Sequence, residues 1–262
     1  MNVLKKLFLR PARLSSSPPI EFTAQPMPEN DLFVVGDIHG RADLLSKLLN
    51  MVNLPESLNN GTEQKLVFVG DYVDRGENSL EALSMVFGLC ESHPESVIAL
   101  QGNHEKMLLE FLDQPKGKGR RWLRNGGLQT LASFGVGNIT ETSNEADLQK
   151  ARDRFKNTLS EGMEKWLRAM PLTYNSGNIW VVHAAADPNV PFEDQSDRVL
   201  LWGLSDFHRA PRSDGNWVVH GHTIIDTAKV EAGRISIDTG AYFSNRLTLA
   251  HIENGKIEFT HT

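Results

Sequence analysis

Three short segments in the first half of the chain share one pattern: an apolar run, a glycine, an acid or amide, then further charge. They are Phe33-Val34-Val35-Gly36-Asp37-Ile38-His39-Gly40, Leu66-Val67-Phe68-Val69-Gly70-Asp71-Tyr72-Val73-Asp74-Arg75-Gly76 and Val97-Ile98-Ala99-Leu100-Gln101-Gly102-Asn103-His104-Glu105. Each reads as a buried strand running into a tight turn that presents oxygen and nitrogen ligands. The glycines let the backbone turn beneath an ion without a clashing Cβ. Asp37, His39 and Asp71 would form one cation site. Asp71 could bridge to a second site holding Asn103, His183 and His222. Any one turn alone reads equally well as a satisfied loop. Three in order, followed by two strand-end histidines, point to metal-assisted hydrolysis of a phosphate ester.

Charge decides what such a site would hold. Two divalent ions bring four positive charges, Asp37 and Asp71 return two, and Asn103 and neutral histidines return none. The remainder suits a phosphate dianion and a hydroxide, whereas four or five carboxylates would repel them. Two ions roughly 3.5–4 Å apart also acidify a bridging water, making hydroxide near neutral pH. Nitrogen and oxygen donors without thiolate fit manganese, iron or zinc, and manganese is the pair expected here. His104, beside ligand Asn103, is placed to protonate an alkoxide leaving group. Asp74 would orient its ring and favour the imidazolium. Arg75 would grip phosphate oxygens with its planar fork. The bland alternative for Asp74 and Arg75 is a surface ion pair.

The elements that must position these residues follow from periodicity. Strands are expected at Leu32–Val35, Lys65–Val69 and Ser96–Leu100, with helices at about Ala42–Met51, Ser79–Glu91 and Glu105–Leu112. Alternating strand and helix implies parallel βαβ units. From Gln114 to Arg121 the chain is polar, Gly-rich and basic. Trp122–Leu131 reads as a short helix, and Asn144–Met170 as helical, with Phe155, Leu159, Met163, Trp166 and Leu167 on one face. Residues 114–170 are therefore expected to form a helical cap insertion beside the site. Short strands follow at Ile179–Val182, Trp217–Val219, Arg234–Ile237, Leu247–His251 and Lys256–Thr260, the last two joined by an Asn254-Gly255 hairpin turn. A parallel first half and a more antiparallel second half suggest an α/β fold, a two-sheet sandwich flanked by helices.

Composition limits the partners. The chain has 262 residues, a formal charge of −6 and 40% hydrophobic residues, ordinary for a globular protein with a sizeable core. That balance argues against a dedicated nucleic-acid binder. The single cysteine, Cys90, excludes an intrachain disulfide and fits a small hydrophobe on a helix. A cytoplasmic location is compatible with it. No apolar run approaches a membrane span. Residues 1–28 are expected to be a flexible basic tail and linker, a short membrane-surface helix being the alternative for Met1–Arg13. Residues 29–262 would form the folded domain.

The same residues resemble the phosphoprotein phosphatase family of metal-dependent serine/threonine phosphatases, in its compact bacterial and phage branch, within the calcineurin-like metallophosphoesterases. The resemblance rests on Gly36-Asp37-Ile38-His39-Gly40, Gly70-Asp71-Tyr72-Val73-Asp74-Arg75-Gly76, Gly102-Asn103-His104-Glu105, His183, Gly221-His222-Thr223 and Ile237-Asp238-Thr239-Gly240-Ala241, and covers about residues 31–251. It implies a four-layer α/β/β/α sandwich and direct attack on phosphorus by a hydroxide on two metal ions. Carried over, the metal ligands are Asp37, His39, Asp71, Asn103, His183 and His222. The acid is His104, its partner Asp74, and a phosphate-binding arginine Arg75. Members of that branch usually carry a second phosphate arginine just after a Leu-Trp pair, where this chain has Leu204. Arg209, Arg212 and Arg41 are the candidates to replace it. The expected substrates are phosphoproteins or phosphopeptides. A dinucleoside tetraphosphate hydrolase is the alternative, although that branch tends to have Ala where Asp74 stands and Asp where Glu105 stands. A second alternative is a non-catalytic scaffold on the same fold. His222 rather than His220 is the expected ligand, and Asp238 is expected to hold a turn or orient a ligand histidine.

Overall fold

The computed structural model describes residues 21–54 and 64–262. Two five-stranded sheets carry the fold. The first contains β1 (Leu32–Val35), β2 (Lys65–Phe68) and β3 (Val97–Ala99) running parallel, with β9 (Thr248–Glu253) and β10 (Lys256–His261) antiparallel beyond β1. The second has the order β4 (Thr173–Ser176), β5 (Ile179–Val182), β6 (Trp217–His220), β8 (Arg234–Ser236) and β7 (Lys229–Glu231).

Period-two alternation along the strands produces the layers. Leu32, Val34, Val67 and Val69 of the first sheet share one buried cluster with Ile179, Val181, Val219 and Ile235 of the second, so the two sheets pack face to face. Phe33, Val35, Leu66 and Phe68 point the other way, into a cluster with Leu45, Leu48, Leu83, Val86 and Leu108 from helices. Val182 and Val218 point outward from the second sheet onto Phe192, Val199 and Phe207. The result is the expected α/β/β/α order.

The helices of the first half lie where the periodicity places them: α1 (Ala42–Met51), α2 (Ser79–Ser92) and α3 (Asn103–Asp113). The α3 helix starts two residues earlier than expected, because the Glu105 carboxylate turns back onto the Gly102 N–H and closes the first turn. The polar stretch after it is also helical, as α4 (Pro115–Trp122), with proline in the first turn where its missing N–H is harmless. A kink at Gly126 (φ +108) within Leu123–Gly127 separates α4 from α5 (Leu128–Ser133), and α6 (Glu145–Thr158) and α7 (Glu161–Ala169) complete the helical stretch. Asn144 and Ser160 cap those two helices through their side chains.

The second half is less antiparallel than expected. Strands β5, β6 and β8 are mutually parallel, and only the edges β4 and β7 run the other way. The Asn254-Gly255 hairpin joins β9 to β10 as expected.

Residues 21–28 run against the second sheet. The Phe22 ring meets Trp217 edge-on at 5.0 Å, and the Trp217 indole N–H donates to the Ala24 carbonyl. The expected basic segment and Ser-Pro linker before them lie outside the described residues. Among the described residues, no helix is long and apolar enough to cross a membrane.

Candidate active site

Every expected ligand stands just beyond a strand or at the first residue of the helix after it. Asp37 and His39 follow β1, Asp71 follows β2, Asn103 begins α3, His183 follows β5 and His222 follows β6. Because these strands are parallel, their ends open on one edge of the sandwich. The turns are also tied to each other: the amides of Ile38 and His39 both donate to the Asp71 carbonyl, at 3.1 and 2.8 Å.

Asp71 is the centre of the cluster. Its Oδ2 lies 3.5 Å from His39 Nε2 and 3.5 Å from His183 Nε2. His39 uses Nδ1–H to donate to the Val73 carbonyl at 2.8 Å, and His183 donates to the Val69 carbonyl at 3.1 Å. Each backbone bond fixes a tautomer that leaves the inward Nε2 with a lone pair. Burial pulls the His39 imidazole down to about 3 and that of His183 to about 4, so both rings are neutral donors. Asn103 Oδ1 lies 2.9 Å from His183 Nε2 and 3.1 Å from His222 Nδ1, which brings these three together. The His222 amide donates to the Asp37 carboxylate at 3.1 Å, so Asp37 sits beside this group.

The protein's own charges in this cluster are badly balanced. Burial, then Asp238 and Asp71, push the Asp37 carboxyl well above its usual range. Burial also pushes Asp238 up to about 6. Burial opposes ionisation of Asp71 as well, but the surrounding histidines and the His104 amide, 3.0 Å from Oδ1, hold it low. Neutral imidazole lone pairs converging with buried, mutually repelling carboxylates and an amide oxygen are a donor set that fits divalent cations.

Glu105 holds the Asp71 turn from behind. Its Oε2 accepts N–H bonds from Asp71 at 2.8 Å and Gly102 at 3.0 Å. Its Oε1 accepts from Tyr72 at 2.8 Å and Val73 at 3.3 Å. Gly102 must lack a side chain here: a Cβ would overlap both Asp71 Oδ1 and the Asp71 amide nitrogen. Gly102→Ala is therefore expected to cost about 1–3 kcal/mol as an overpacked site. Divalent-metal content per chain, measured by mass spectrometry after dialysis, should fall with it. Full metal content at wild-type Tm would contradict this account.

His104 and Asp74 form a buried pair beside Asp71. His104 Nδ1 lies 2.6 Å from Asp74 Oδ2, leaving Nε2 on the Asp71 side, 3.9 Å from Oδ2. Burial works against the imidazolium, yet Asp71 and Asp74 together raise the His104 pKa. Asp74 is fully buried and has its remaining acceptor capacity filled by the Trp122 indole N–H at 2.9 Å and the Thr130 hydroxyl at 2.6 Å. Sequence reasoning missed both of these residues, which lie 48 and 56 positions away. No local pattern marks them. Glu105 did carry a signal, the Gly-x-x-Glu spacing of a helix start.

Arg75 lies over the Tyr242 ring at 5.0 Å, and Tyr242 meets His39 edge-on at 5.5 Å. The Arg75 amide reaches the carbonyl of Gly126, whose φ of +108 kinks the chain between α4 and α5. Five non-glycine residues of the site, His39, Asp71, Asp74, Arg75 and His222, also have φ between 46 and 73. Such conformations cost roughly 1–3 kcal/mol each and persist where the surroundings enforce them.

The other candidate arginines are not brought to the cluster. Arg41 forms a two-bond pair with Asp43 and reaches the Ala241 carbonyl and Asn245. Arg209 is exposed beside Asp206. Arg212 is buried over Phe192, bonded to Asp214 and to the Asp187 and Val190 carbonyls. His220 bonds Ser236 in the core at 2.8 Å, away from the ligands, and Asp238 holds its turn by accepting the Gly240 N–H.

Residues 31–226 match the family described as calcineurin-like phosphoesterase. The chain is 29% identical over 238 residues to a bis(5'-nucleosyl)-tetraphosphatase, PrpE, of Bacillus subtilis, covering 82% of this chain and 88% of that protein. It is 25% identical over 234 residues to serine/threonine-protein phosphatase 2 of Escherichia coli, covering 85% of this chain and 93% of that one. A cold-active protein-tyrosine phosphatase from a psychrophilic Shewanella shares the fold, with a TM-score of 0.57 at 16% identity over 97% of this chain and 88% of its own. The family match runs from the first strand past His222 and takes in every candidate ligand, so the chain belongs to the calcineurin-like phosphoesterases, a family of metal-dependent hydrolases.

Proposed function

We propose that this protein removes phosphate from phosphoserine and phosphothreonine side chains of proteins or peptides. The buried Asp74–His104 pair carries the reading. A serine or threonine alkoxide is a poor leaving group and needs a proton as the P–O bond breaks, whereas a nucleoside polyphosphate departs as a stabilised anion. His104, oriented by Asp74 and raised in pKa, is a proton donor suited to the first case.

Asp37, His39, Asp71, Asn103, His183 and His222 would hold two divalent cations, manganese being the expected pair. When bound, such ions polarise a phosphoryl group and acidify water. Arg75 would bind phosphate oxygens. It forms no ion pair among the described residues, and stacking on Tyr242 leaves its in-plane N–H donors available. A cleft of about 410 Å³ starts at Arg75 and Tyr242 and continues along Arg124, Asn125, Gln129 and Glu141. Residues 114–170 would act as the cap that shapes it around the substrate chain.

Hydrolysis of dinucleoside tetraphosphates is the second reading, favoured by the likeness to the B. subtilis protein. The two are separated by presenting the manganese-loaded protein with a phosphoserine peptide and diadenosine tetraphosphate side by side. Phosphate release from the peptide is expected, and its loss in Asp71→Asn. Efficient cleavage of the dinucleotide with the peptide left intact would overturn the proposal.

A further inference from the structure

Arg121 differs from many arginines of this chain. Arg41, Arg152, Arg168 and Arg209 each lie against a carboxylate. The Arg121 guanidinium instead lies over the Trp202 indole, 4.3 Å from the ring centroid, and it forms no ion pair among the described residues. Stacking occupies one face of this exposed guanidinium and leaves the N–H donors around its edge free.

Both members of the stack are tied to the site. Trp122, the next residue after Arg121, donates to Asp74, which holds His104. Gly203, the next residue after Trp202, faces the other side of the cluster: a Cβ there would stand 4.0 Å from His222 Cδ2. The stack thus joins the His104 wall of the site to its His222 wall. Arg75 over Tyr242 forms a second such stack, against the His39 wall. Arg75 and Arg121 are thus two ring-stacked guanidinium groups carried by segments that touch one cluster. The scissile phosphate, bound by the cations and Arg75, does not need the second.

We propose that Arg121, laid on Trp202, is a specificity-determining residue that receives a second anionic group carried by the substrate beside the scissile phosphate. On the phosphopeptide reading above, on which this rests, that group is the carboxylate of an Asp or Glu flanking the phosphorylated residue. The guanidinium is exposed, stacked and unpaired, which leaves it open to a substrate anion.

The test compares two phosphoserine peptides that differ only in a Glu or Gln next to the phosphoserine. The wild-type protein should prefer the Glu peptide by about fivefold in kcat/KM, the scale of one partly exposed charge pair. In Arg121→Ala that ratio should fall to about one, through KM. In Arg121→Glu it should invert, and Arg121→Lys should retain part of it. An unchanged ratio in Arg121→Ala, or an equal loss of kcat on both peptides, would overturn the proposal. If the wild-type protein cleaves only diadenosine tetraphosphate, the phosphopeptide reading fails separately. The second anion is then the neighbouring phosphate: Arg121→Ala should raise the KM for the dinucleotide, and an unchanged KM refutes the role.

Discussion

If the proposed phosphatase activity holds, His104→Ala should lower kcat on a phosphoserine peptide by about 100- to 10,000-fold, the range for loss of a positioned general acid, and far less on p-nitrophenyl phosphate. The difference follows from the leaving groups. A nitrophenolate departs readily without a proton, and a serine alkoxide does not. His104 sits with Nδ1 on Asp74 and Nε2 toward Asp71, so its single free N–H faces the cluster. Asp74→Asn should reproduce the pattern more weakly, because an amide still orients the ring but no longer favours its protonated form. Steady-state rates on the two substrates decide the matter. Equal losses on both would mean that His104 supports metal binding rather than proton transfer.

Glu105→Ala should be the most destabilising single change near the site. It strands four buried backbone N–H groups, those of Asp71, Tyr72, Val73 and Gly102. Each unsatisfied donor costs on the order of 1–3 kcal/mol before relaxation. A net loss of about 4 kcal/mol would lower Tm by roughly 10 °C in a chain of this size. Glu105→Gln should lose about half as much. Its amide oxygen can serve one pair of donors, while its NH2 faces the other pair. Calorimetry of both variants checks this, and a Glu105→Ala protein within a degree of wild type would remove Glu105 from its supporting role.

Much of the site was legible in the sequence because its ligands sit in local strand-to-turn segments. Asp71, Asn103 and His104 need only a few neighbours to be recognised, and Asp37 and His39 likewise. His183 and His222 could be placed through the apolar runs that precede them. What surrounds these residues could not be read the same way. Trp122 and Thr130 meet Asp74 only after the helical segment folds back, and Tyr242 meets Arg75 from near the chain's other end. The edge strands β4 and β7 also escaped notice. Lys229–Glu231 is three residues long and exposed throughout, so it has no buried face to mark it. The second sheet was taken as more antiparallel than it is, because its parallel strands are linked by irregular crossovers rather than by long helices.

The aliphatic layer between the two sheets acts as a spacer gauge. Asp37, His39, Asp71 and Asn103 belong to one sheet's edge, and His183 and His222 to the other's. Val67, Val69, Ile179, Val181, Val219 and Ile235 fill the gap that separates those edges. The thickness of that filling sets how far apart the two jaws of the site stand before any ion arrives. Preference for one ion radius over another is then partly written in valine and isoleucine volumes, in side chains that never touch a cation.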